Sequence, residues 1–159
     1  DMMFLDKICQ EEWVRYITRR FDDTGKHISD DDALLIAQLV ECHPYYVQQL
    51  AQLTWLHTME TCDTDIVKSA FDSLVNQLSL LFSNIIDNLT AKQISFLQAV
   101  ANGEKNFSSR EVLARYDLGT SANIKNLRKA LQDKDLIDIL PDSTVIQDPV
   151  FAYWLKTKY

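Results

Sequence analysis

Between Leu89 and Ile146 the chain starts and stops three helices in succession and then switches from a helical to an alternating period. Thr90 with Gln93 has the spacing of a capping box, in which the hydroxyl and the amide satisfy backbone N–H groups reciprocally. Ile94, Leu97, Val100 and Ala101 follow as an inward stripe, and Gly103 offers the left-handed residue that stops it. Ser108 with Glu111 repeats the capping spacing and opens a short helix through Val112, Leu113 and Tyr116, ended by Gly119. Thr120 or Ser121 caps a third helix whose Ile124, Leu127, Ala130 and Leu131 face inward. Leu136–Leu140, a turn at Pro141-Asp142-Ser143 and Thr144–Ile146 read as a two-stranded hairpin. Three helices and a hairpin predict a winged helix-turn-helix over residues 89–159, with Pro149–Leu155 a short apolar helix returning to its core.

Residues 1–88 read as a separate, wholly helical domain, so the fold class is mainly α. Trp13, Ile17 and Phe21 recur every four residues beside Val14, which predicts an amphipathic helix from about Gln10 to Phe21, with Gly25 as its stop. Gly25-Lys26 is no P-loop, because Arg20 stands where the upstream glycine belongs and His27 follows the lysine. Ser29 is the expected N-cap of a helix with Asp30, Asp31 and Asp32 in its first turn and Leu35, Ile36, Leu39 and Val40 inward, ending near Glu41. Consecutive helical aspartates point in different directions and make a poor metal site. Pro44 breaks that helix and starts the next, since proline suits the first turn and restricts the residue before it. Val47, Leu50, Ala51, Thr54, Trp55 and Thr58 then form an inward stripe to about Met59. After a polar turn at Thr61–Asp65, the residues Ile66, Ala70, Leu74, Leu78, Leu81, Phe82 and Ile85 predict a long helix with one apolar face.

Three Gly and three Pro in 159 residues favour helices with short connections over a glycine-rich catalytic scaffold. The charge is uneven: residues 1–89 hold 6 Lys and Arg against 15 Asp and Glu, net −9, and residues 90–159 hold 10 against 8, net +2, together the −7 of the chain. That balance disfavours nonspecific attachment to nucleic acid or anionic membrane. Cys9, Cys42 and Cys62 include no CxxC pair, which suggests reduced thiols and a cytoplasmic location. His27, His43 and His57 stand at no metal-ligand spacing, and no apolar run approaches a membrane span. The chain opens on Asp1-Met2-Met3-Phe4-Leu5 and is expected to be a fragment of a longer polypeptide.

Two groups of residues are candidates for function. His43 and Pro44 sit at an elbow where free N–H groups and the positive end of a helix dipole can receive a phosphate; the alternative is that His43 only caps the helix while Tyr45 and Tyr46 fill a core. In the winged helix, Lys125, Arg128 and Lys129 could meet DNA phosphates, and Asn123 or Asn126 could meet bases. Asp142 and Asp148 flank the hairpin and its tip carries no cation, which favours solvated charges or a protein contact instead.

The chain resembles the C-terminal part of the archaeal-type ATPases, members of the AAA+-like signal-transduction (STAND) group. The resemblance rests on Trp13 to Phe21 with Thr24-Gly25-Lys26 and Ile28, on His43 to Ala51 with Trp55, and on Leu89-Thr90 with Gln93. It continues through Tyr116 to Ile124, Leu131 with Lys134 to Ile137, and Asp148 to Phe151 with Trp154-Leu155. It implies a helical AAA+-type lid followed by a winged helix, without the P-loop core. It further implies that Pro44 matches the proline of a Gly-x-Pro motif set against bound nucleotide, with His43 near the phosphates; Cys42 stands where that motif has glycine. ATP or ADP and magnesium are then expected in the intact parent, with none in this fragment, and the partners are its own ATPase core and a protein. This chain by itself, with no Walker motif, is expected to have no catalytic residues. The alternatives are a stand-alone DNA-binding regulator and an interaction module using the apolar face of residues 66–85.

Overall fold

The structure, a computed structural model, describes the backbone of residues 2–159 and the side chains of residues 9–159. The elements in chain order are α1 (Met2–Asp23), α2 (Asp30–Leu39), α3 (Pro44–His57), α4 (Thr64–Asp87), α5 (Ala91–Ala101), α6 (Arg110–Arg115), α7 (Ser121–Asp133), β1 (Ile137–Ile139), β2 (Thr144–Ile146) and α8 (Pro149–Thr157). The chain divides into two compact units, residues 1–78 and 79–159, and the division falls within α4.

In the first unit α1 packs on α2 and α3, and Ile17 and Phe21 are fully buried. Helix α1 begins well before the expected Gln10, and Trp13 and Val14 are only half-buried. Gly25, at φ +80°, ends it as foreseen, with the Lys26 N–H donating to the Phe21 carbonyl at 3.0 Å. The Ser29 hydroxyl accepts from the Asp32 N–H at 3.1 Å, the cap read from the sequence. The buried face of α2 is turned from the expected one: Ala33, Ile36, Ala37 and Val40 are buried, whereas Leu35 and Leu39 are half-exposed. Two of these four are alanines, a signal that counting large apolar residues misses. Asp32 is buried because Thr64 donates to one of its oxygens at 2.8 Å and Ser29 to the other at 3.1 Å. Thr61, assigned to a polar turn, instead forms a parallel bridge with His27, in which the Cys62 N–H donates to the His27 carbonyl at 2.8 Å. Burial pushes the Cys62 thiol above its ordinary 9.0; nearby Asp32 and Asp63 add to the rise, and a hydrogen bond with Thr58 opposes it.

The second unit is a winged helix. The Thr90–Gln93 capping box is formed in full, at 3.2 Å and 3.0 Å. The cap of α6 is Ser109, which accepts from the Val112 N–H, and not Ser108. The left-handed residue ending α6 is Asp117 at φ +52°, with the Leu118 N–H donating to the Leu113 carbonyl at 3.0 Å; Gly119 lies two residues beyond. Thr120 occupies the N-cap position of α7 without a side-chain cap bond. The antiparallel hairpin pairs Ile137 with Ile146, Asp138 with Val145 and Ile139 with Thr144. Asp148, foreseen as a charge beside the wing, N-caps α8 through the N–H groups of Val150 and Phe151 at 2.9 and 3.0 Å. Phe82 of α4 lies 5.1 Å from the Phe151 ring and 5.7 Å from Trp154. The stripe of α4 is Val67, Ala70, Phe71, Leu74, Val75, Phe82 and Ile86; Leu81, expected inside, is 55% exposed.

Candidate functional site

The elbow between α2 and α3 is built by two consecutive left-handed residues, Glu41 at φ +51° and Cys42 at φ +57°. Neither is glycine, and each such residue costs roughly 1–2 kcal/mol. The turn is held by the Cys42 N–H on the Ala37 carbonyl at 2.8 Å and the His43 N–H on the Val40 carbonyl at 3.0 Å. Strain kept in place by surrounding bonds is a mark of positions with a task beyond connection. The glycine of the resembled motif falls on Cys42, whose φ is one that glycine adopts freely.

Pro44 takes the first helical position of α3, and His43 is the N-cap residue. The His43 side chain makes no cap hydrogen bond. Its ring tilts against Tyr46 at 4.7 Å between centroids, and its Nδ1 is buried with no hydrogen-bond partner. A simple capping role therefore does not account for it. An orphaned buried imidazole nitrogen is uncommon, and it leaves one hydrogen-bonding position of the ring unsatisfied within the chain. Tyr46 is buried, but Tyr45 is 59% exposed and so is not the core residue expected.

The five winged-helix candidates lie along α7, with Asn123 and Arg128 half-buried and Lys125, Asn126 and Lys129 exposed. Asn123 donates to the Leu118 carbonyl at 3.3 Å, Lys129 pairs with Asp133 at 3.3 Å, and Arg128 lies over the Phe107 ring at 5.3 Å with its Nε buried. Lys125 and Asn126 are exposed. Among the described residues no group of three His, Cys, Asp or Glu could hold a metal ion, and no helix is long and apolar enough to cross a membrane.

A second concave feature escaped the sequence reading. A trough of about 380 Å³ runs between α1 and α3, lined in part by Tyr16, Arg20, Gln48, Gln52 and Trp55. Its signal was present as the paired spacings Tyr16/Arg20 and Gln48/Gln52, each one helical turn apart. The loop beside it explains Thr24-Gly25-Lys26. The Trp55 indole N–H donates to the Thr24 hydroxyl at 2.8 Å, and the Lys26 ammonium donates to the Trp55 carbonyl at 2.8 Å while standing 3.8 Å from its ring centroid. Lys26 thus closes the C-terminal end of α3, where a cation favours the helix dipole.

Residues 80–157 match the family model described as a probable winged helix domain. Among solved structures, the chain is similar to a Walker-type ATPase of Pyrococcus abyssi, with a TM-score of 0.71 at 14% identity over 92% of this chain. The chain spans 41% of the length of that protein. No curated protein matches it.

Proposed function

We propose that this chain is the lid and winged-helix part of a STAND-type P-loop ATPase, in which nucleotide held by the core acts on the His43-Pro44 elbow and biases the state of the winged helix. The observation that carries the reading is the part-exposed His43 ring at the N-cap of α3, which makes no cap hydrogen bond and so leaves its accessible edge open to a ligand at the helix terminus. An imidazole there can donate to or accept from a nucleotide, and the helix terminus behind it favours negative charge. The left-handed Glu41-Cys42 turn supports it, because that turn sets the direction in which His43 and Pro44 leave α2. A ligand shifts such an equilibrium only by the difference in its contacts with the two states, so the elbow must touch nucleotide in one state more than in the other. Phosphoryl transfer and magnesium binding belong to the core, which supplies the Walker residues this sequence lacks. A cytoplasmic location follows from such an ATPase.

Within this reading the winged helix meets a protein rather than duplex DNA, since the hairpin tip Pro141-Asp142-Ser143 carries no cation and the chain is net −7. The test of the elbow is His43→Ala in the intact parent protein. Loss of a hydrogen bond to a charged phosphate should weaken ADP or ATP binding by about tenfold. Unchanged affinity together with an unchanged hydrolysis rate would sink the assignment.

A further inference from the structure

The trough between α1 and α3 has no part in the nucleotide reading, and its inference does not rest on that reading. Its base is apolar, with Ile17 and Phe21 fully buried. Its rim is polar but not acidic. Residues 1–89 carry 15 Asp and Glu against 6 Lys and Arg, yet among the described residues no carboxylate lines the trough. Arg20 stands with its guanidinium 5.7 Å from the Tyr16 ring centroid, and that ring is braced edge-on by Trp13 at 5.5 Å. Among the described residues Arg20 pairs with no carboxylate. A stacked guanidinium is a pre-organised fork that matches a carboxylate. Gln48 and Gln52, one turn apart on α3 and exposed, offer amides that both donate and accept. Lys26 adds positive potential from the Trp55 side, its own hydrogen bond being made to the Trp55 carbonyl.

We propose that this trough binds an acidic peptide segment of a partner protein. A carboxylate would engage Arg20, an adjoining apolar side chain would lie against Ala51 and Trp55, and Gln48 and Gln52 would bond peptide N–H and C=O groups. Peptide is favoured over a small molecule by openness. Tyr16 is 40% exposed and Arg20, Thr24, Gln48 and Gln52 are all exposed, whereas a small ligand needs a site that buries most of its surface.

The test is selection from a random short-peptide library on the full chain, followed by fluorescence anisotropy of the enriched peptides. Enriched sequences should place Asp or Glu beside a large apolar residue. Arg20→Glu should weaken their binding by about tenfold or more, as should Gln52→Glu to a lesser degree, with helical circular dichroism unchanged because both side chains are exposed. Enrichment of basic or uncharged sequences, an absence of any enriched sequence, or acidic peptides that bind Arg20→Glu as well as the parent chain would each overturn the proposal. Competition by free glutamate as effective as the peptide, at equal concentration, would overturn it in favour of a small carboxylate ligand.

Discussion

Glu41 and Cys42 show how a single backbone region is decided. Both occupy left-handed space without being glycine, while the equivalent stop after α1 uses Gly25. Glu41 is exposed, so its side chain contributes little packing that a substitution would forfeit. Glu41→Gly should therefore raise stability by about 1 kcal/mol, the relief of left-handed strain less the added freedom of the unfolded chain. Urea unfolding would show the midpoint rising at constant slope; a lower midpoint would mean that the turn is not strained. Cys62 sets a second expectation. Its folded thiol holds its proton above the ordinary 9.0, so the stabilisation is complete below that value and is lost as pH rises past it. Stability measured between about pH 8 and 10 should decline, and Cys62→Ser, which does not titrate there, should flatten the decline. An unaltered slope in the variant would assign the loss to other groups.

Among the elements, the helix ends were the most legible and also the most instructive where they were not. Thr90 and Gln93 declare their box because both partners are local in sequence. Ser108 and Ser109 are indistinguishable by composition, and which one caps α6 depends on where Phe107 is drawn into the core, 4.8 Å from Phe96. Asp117 and Asp135 end α6 and α7 in left-handed conformation, an option open to aspartate that a search for glycine passes over. Asp148 caps α8 through two N–H groups, so Asp148→Ala should cost about 1–2 kcal/mol in the stability of the second unit. Urea unfolding followed by the fluorescence of Trp154, a residue of α8, would register it, with Trp13 and Trp55 replaced by Phe in both proteins to isolate the signal. A shift below a few tenths of a kcal/mol would show that the cap is dispensable.

For the molecule as a whole, the net charge of −7 disfavours duplex DNA. Labelled duplex titrated with the chain at about 50 and 200 mM salt should show no binding at micromolar protein. Salt-dependent binding abolished by Lys125→Ala would instead make the winged helix a DNA module. The sequence by itself determined the order of helices and hairpin, the mainly α class and the winged helix, because caps, breakers and periodicity act over a few residues. It also singled out His43 and Pro44, since a proline after a helical stripe forces an elbow. What it could not determine was the rotation of each stripe: Ala33 and Ala37 face inward in place of Leu35 and Leu39, a choice made by packing against the neighbouring helices. Nor could it show that His43 Nδ1 is buried and orphaned, or that Arg20, Gln48 and Gln52 share one trough. Those facts depend on side chains from separate helices meeting in space. Burial and pairing are properties of packing, and only the tertiary structure fixes them.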